Sequence, residues 1–197
     1  MVLQFKLLAN ILIYNLWIRQ KMKNKIDETP VPYQLSQPDY MSPDLILPNV
    51  LSEWVKDDNL WVPTTTSVSF KPLLLHASGG YYINLLRVRR SGVLSRHRHS
   101  GDVHALVLRG KWYYLEHNWV AEEGSFAYEP PGETHTLFVP DDVKEMITWF
   151  SVKGGYTYVD KMGKATGYED VFTKIEAASA HYKTIGLDDD FLKKIIR

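Results

Sequence analysis

Two histidines, His97 and His99, stand two residues apart in Gly92-Val-Leu-Ser-Arg-His-Arg-His. A third, His135, closes the stretch Gly124-Ser-Phe-Ala-Tyr-Glu-Pro-Pro-Gly-Glu-Thr-His. On a β-strand, residues i and i+2 project from the same face, so the first two imidazoles converge if that face turns inward. The Pro130-Pro131-Gly132 turn reverses the chain and delivers His135 at the start of a new strand. Three neutral imidazoles are borderline ligands suited to Fe(II), Ni, Cu or Zn, and they leave coordination positions open. The chain has no cysteine, so a metal must sit on His, Asp or Glu. An isolated His-x-His on a strand is common without a metal. The second glycine-bracketed stretch makes this pattern far more specific, and His97, His99 and His135 are the expected ligands.

Glu116, Glu129 and Glu133 flank these stretches and are candidates for a base or for orienting a ligand. Solvation or turn stabilisation is the ordinary role of any one of them. Glu129 and Glu133 are preferred because they sit beside the turn that carries His135. Trp112, Tyr114, Tyr128 and Trp149 are expected in a cavity lining or, by default, a barrel core. Arg87, Arg89, Arg90, Arg96 and Arg98 suggest a solvated face or a subunit contact more readily than an anion site.

The elements that must position these groups are mostly strands. From Trp61 onward, short β-branched, aromatic and aliphatic runs are broken roughly every 8 to 12 residues by Gly, Pro, Ser and Asp turn signals, the spacing of an antiparallel sandwich or barrel. The pattern predicts an all-β fold, with an extension and arm over residues 1–60 and the β-domain with a helical tail over 61–197. Five prolines between Pro30 and Pro48 make the arm extended. One short helix is expected over Asp44 to Asp58, with Leu51 and Trp54 on its buried side. Further helices are expected over Val171 to Tyr182, stopping at Gly186, and over Leu187 to Ile196.

Residues 2–18 are rich in apolar side chains, but Gln4, Lys6, Asn10 and Asn15 interrupt a run that would need about 20 such residues to span a bilayer. Its positive charges mostly follow it, unlike those of a secretory signal. Two readings stand: an upstream extension of the reading frame, with Met22 the true start and residues 1–21 an artefact, or a surface helix. A membrane anchor comes third. With 23 basic and 23 acidic residues, the balanced charge gives no electrostatic case for nucleic acid or an anionic membrane. A cytoplasmic protein is expected.

The two histidine stretches resemble the paired motifs of the cupin superfamily, the second at Gly124, Pro130, Gly132 and His135. The resemblance implies a cupin-type antiparallel β-barrel (double-stranded β-helix). Three departures occur. Four residues rather than five separate Gly92 from His97, Val139 replaces an Asn, and His104 stands where a ligating Glu is usual. The last points to a three-His site, with His104 a weak fourth ligand or an outer group that tunes turnover. The strings Asn84-Leu-Leu-Arg-Val-Arg-Arg, Trp112-Tyr-Tyr-Leu-Glu-His, Tyr128-Glu-Pro-Pro-Gly-Glu-Thr-His-Thr and Gly167-Tyr-Glu-Asp-Val-Phe-Thr-Lys-Ile look like 2,4'-dihydroxyacetophenone dioxygenases. That likeness runs from about Trp61 to Ile196. It implies Fe(II) on His97, His99 and His135, an aromatic hydroxyketone and O2 as substrates, an aryl carboxylic acid and formate as products, and a homo-oligomer, a dimer or tetramer. Other metal-dependent cupin activities (diketone cleavage or isomerisation) and a ligand- or metal-sensing cupin without turnover are the alternatives.

Overall fold

A computed structural model describes residues 29–51, 58–187 and 189–197. Contacts divide the chain into two units, 1–43 and 44–197. Residues 29–43 contain neither helix nor strand, in keeping with the four prolines of that stretch. Residues 1–28, and with them all three readings of the N-terminus, lie outside the described residues. The helix expected over Asp44 to Asp58 does not form across residues 44–51, where Leu51 is exposed. Trp54 lies outside the described residues.

The second unit is built from β1 (Val62–Pro63), β2 (Val68–His76), β3 (Tyr81–Val88), β4 (Gly92–His99), β5 (Val103–Arg109), β6 (Lys111–Tyr114), β7 (Ala121–Glu122), β8 (Phe126–Glu129), β9 (Thr134–Val139), β10 (Met146–Lys153), β11 (Tyr156–Val159) and β12 (Ala165–Glu169). They pair antiparallel in two sheets, β1-β2-β3-β10-β5-β8 and β12-β11-β4-β9-β6-β7. Alternate residues face a shared interior. Leu75, Trp112, Val139 and Met146 are fully buried there. Helix α1 (Val171–Thr184) follows β12 directly and α2 (Asp189–Lys193) follows α1.

Helix α1 begins where its sequence says it should. Asp170 accepts from the amides of Phe172 and Thr173, and the Thr173 hydroxyl receives the Asp170 amide, a complete capping box. Its buried residues are Val171, Lys174, Ala178 and Tyr182, one stripe at helical spacing. A lysine occupies the second position of that otherwise mostly apolar stripe.

A bulge in β4 sets the register that matters most. Pairing with β9 begins Gly92↔Val139 and Val93↔Phe138, then shifts by one residue to Ser95↔Leu137, Arg96↔Thr136 and His97↔His135. Without the extra residue, Arg96 would stand opposite His135 and His97 would face away from it.

Candidate metal centre

Directly opposed residues in neighbouring strands share a face. The pairs His97↔His135, His97↔Tyr158 and His99↔Tyr156 therefore place three imidazoles and two tyrosines together on the inner face of one sheet. All three histidines are buried, His135 to 0% exposure. The ring nitrogens they offer lie within 4.8 Å of one another, and Nε2 of His97 and of His99 are 3.1 Å apart. The turn before β9 is tied to the same strand, because the Gly132 amide donates to the His99 carbonyl at 2.9 Å. Gly132 has φ +91 with open space where a Cβ would stand, so glycine is needed there for backbone conformation rather than for room.

The second sheet contributes Glu129. In β5 and β8 the register Val103↔Glu129 and His104↔Tyr128 turns Val103 and Glu129 inward. Glu129 is 3% exposed, and its Oε2 lies 3.2 Å from His99 Nε2 and 3.7 Å from His135 Nε2. Neither Glu129 oxygen and neither His135 nitrogen makes a hydrogen bond among the described residues. Buried polar atoms left this way are costly unless something else completes them.

The electrostatics agree with a cation-binding role. Burial, reinforced by the neighbouring His99 and His135, holds the His97 imidazole well below its ordinary range. Burial first, then His99 and His117, brings His135 down to about 3. The rings are therefore neutral, with lone pairs available. Ser95 Oγ lies 3.0 Å from His97 Nδ1, and a proton shared there leaves Nε2 free as a ligand. Tyr114 stacks on His135 at 3.6 Å between centroids, tilted by 7°, and fixes its plane. Three buried imidazoles beside a carboxylate without a hydrogen bond fit a divalent ion with nitrogen ligands.

The site opens on a cavity of about 360 Å³, with Leu86, Leu94, Val103, Leu137, Phe150 and Val152 in its wall. Two expected residues take no part in that wall. His104 sits on the outer face of β5, its side chain 36% exposed and 3.6 Å from Asp102, against the rings of Phe126 and Tyr128. The inward place belongs to Val103, so His104 is neither a fourth ligand nor a group beside one. Glu133 lies behind His135, with Oε2 3.8 Å from Nδ1 and Oε1 3.1 Å from His117 Nε2. It stands outside the cavity and makes no hydrogen bond to that ring. Of the aromatics, Tyr114 lines the cavity and Trp112 is core, whereas Tyr128 is exposed. Arg87 is buried and pairs with Asp58, while Arg89 pairs with Glu145.

Sequence reasoning passed over Tyr156, Tyr158, Glu169 and Lys174, which line the same cavity. A signal existed for one of them, since Lys174 breaks the apolar stripe of a helix.

Two six-stranded antiparallel sheets closing over inward-facing histidines define a cupin barrel. The chain belongs to the family described as the ChrR cupin-like domain, whose model matches residues 54–157. An RmlC-like cupin protein from Ralstonia eutropha superposes with a TM-score of 0.62 at 28% identity, covering 65% of this chain and 84% of that one. An acetylacetone dioxygenase from Acinetobacter johnsonii superposes with a TM-score of 0.58 at 16% identity, covering 77% and 99%. A putative acetylacetone dioxygenase from Methylibium petroleiphilum gives 0.58 at 16%, covering 74% and 99%. At these identities the last two establish likeness of fold. No curated protein sequence matches the chain significantly. Among the described residues, no helix is long and apolar enough to cross a membrane.

Proposed function

We propose that this protein is a non-haem Fe(II)-dependent dioxygenase that cleaves an aryl α-hydroxyketone with O2 to an aryl carboxylic acid and formate. The observation that carries the reading is the set of three buried imidazoles beside a largely apolar cavity of about 360 Å³, a volume suited to one small ligand. His97, His99 and His135 would hold the ion. Iron bound there would supply Lewis acidity toward a hydroxyketone and the redox chemistry of O2.

The chain's own groups do the rest. Neutral ligands leave the ion's charge undiminished, which favours loss of a proton from the carbon bearing the hydroxyl. Glu129, buried and without a hydrogen bond, would serve as the base that takes that proton. Leu137, Phe150 and Val152 keep water from the reacting carbons. The reaction balances as one carbon–carbon bond broken and one atom of O2 entering each product, with the ketone and carbinol carbons giving up four electrons.

Oxygen uptake should be measured with a panel of aryl α-hydroxyketones and β-diketones, using ¹⁸O2 on any substrate consumed. One labelled oxygen in the acid and one in formate is the expected result. An acid carrying oxygen from water alone rules out dioxygenation. Uptake with diketones only reassigns the substrate, and no uptake at all returns the protein to an isomerase or a sensing role.

A further inference from the structure

Part of the cavity wall is polar in a way that the three histidines and Glu129 do not use. Glu169, the last residue of β12, is 14% exposed at its side chain, and Lys174 on α1 is 5% exposed. Lys174 Nζ lies 2.6 Å from Glu169 Oε1, and 3.8 Å from the centroid of Phe70. The Tyr156 hydroxyl donates to the same Oε1, whereas the Tyr158 hydroxyl reaches Oε2 at only 3.4 Å. All four residues line the cavity. Gly155 permits the approach of β11 to this corner, since a Cβ there would stand 2.2 Å from the Glu169 carbonyl.

Burying a Lys–Glu pair costs several kcal/mol per ion, and apolar replacements often stabilise a protein. Anchoring α1 does not require it, because Val171, Ala178 and Tyr182 already bury that helix. One side of the pair is saturated by Lys174 and Tyr156. The other, Oε2 with the Tyr158 hydroxyl, is loosely joined and combines an acceptor with a donor. Tyr156 links this corner to the metal centre, its ring 4.8 Å from that of His97.

We infer that Glu169 and Tyr158 form a specificity site for a neutral hydroxyl on the aryl ring of the ligand, held in place by Lys174 and Tyr156. A phenolic hydroxyl would donate to Glu169 Oε2 and accept from Tyr158. The pair is charge-balanced, so a ring carboxylate, which cannot donate and would face Glu169, is disfavoured. This inference deepens the proposed function and rests on it for the aromatic class of ligand.

The test is calorimetric binding to the iron-loaded protein under nitrogen. The probes are 4-hydroxyacetophenone, acetophenone and 4-acetylbenzoate, which lack the α-hydroxyl and need no turnover. The hydroxylated probe should bind about tenfold more tightly than acetophenone, the scale of one well-made hydrogen-bond pair, and the carboxylate more weakly than either. Tyr158→Phe should bring the first ratio close to one, as should Glu169→Leu/Lys174→Met, which removes both ions together. If the double variant fails to fold, Tyr158→Phe alone decides. A wild-type ratio near one, an unchanged ratio in the variants, equal weakening of both neutral probes, or no binding of either overturns the assignment. Loss of cleavage activity is read separately by oxygen uptake, so discriminating binding without turnover would count against the reaction and not against this site.

Discussion

The three histidines make one kind of site only if each donates independently. His97→Ala, His99→Ala and His135→Ala should each lower iron from close to one per chain to near zero by elemental analysis. Full occupancy in any of them removes that residue from the ligand set. His104→Ala should leave both metal content and turnover close to wild type, because its side chain lies on the outer face of β5. Glu129→Gln should retain iron and lower kcat by about 10²–10⁴, the range for loss of a general base. An unchanged kcat would dismiss it from that role. The same burial that frees the imidazoles for metal makes the metal-free protein acid-sensitive. Histidine titrates near 6.5 when unfolded, whereas the folded His135 stays neutral down to about 3 and His97 is also lowered. Between these values the unfolded chain binds more protons than the folded one. Stability is therefore full above about pH 6.5 and is lost as pH falls toward 3. Unfolding free energies of chelator-treated protein from denaturant titrations at pH 7.5 and 4.5 should differ by on the order of 2 kcal/mol for His135. The difference should shrink in His135→Gln; equal pH dependence in both proteins would refute the attribution.

Among the elements, the turn between β8 and β9 has the largest effect on the site for its size. It carries Glu129 at one end and His135 at the other, and its Gly132 amide is bonded to the strand bearing His99. Gly132→Ala forces an L-residue to φ near +91, at a cost of about 1–2 kcal/mol. Guanidinium midpoints should fall accordingly, and iron per chain should drop with them. A destabilised variant with full iron would separate the turn's conformation from ligand placement. The bulge in β4 is the second such device. It is an irregularity of one residue, yet it decides whether His97 or Arg96 meets His135.

For the whole molecule, the candidate metal centre draws residues from both sheets. Its histidines come from β4 and β9, while Glu129 comes from β8 of the other sheet. An ion bound only by the folded state stabilises it by about 2.7 kcal/mol at a hundredfold excess over Kd. Thermal unfolding should therefore shift downward on chelation and recover when Fe(II) is restored, by several degrees for a domain of this size. A Tm indifferent to chelation would mean that the histidines do not hold a metal in the folded protein.

Ligand type and local spacing were legible in the residues themselves. His97 and His99 had to share a face because strand side chains alternate, and the glycine and proline turns had to return the chain in an antiparallel pattern. The helical pattern from Val171 located the start of α1 in the same local way. Which face turned inward was decided elsewhere. Val103 rather than His104 points at the centre because pairing with β8 and β10 fixes the phase of β5, and a shift of one residue reverses every side chain on a strand. Glu129 and Glu133 are near neighbours in the chain, yet the pleat of β8 sends the first into the cavity and the turn leaves the second behind His135. Lys174 was read only as part of a helix, and Glu169 was assigned to no element. Their meeting at the cavity wall depends on how α1 packs beside β2 and β12. Short-range sequence fixes chemistry and periodicity, because both are properties of a few consecutive residues. Convergence is a property of strand register and of packing between distant segments, and only the folded chain supplies it.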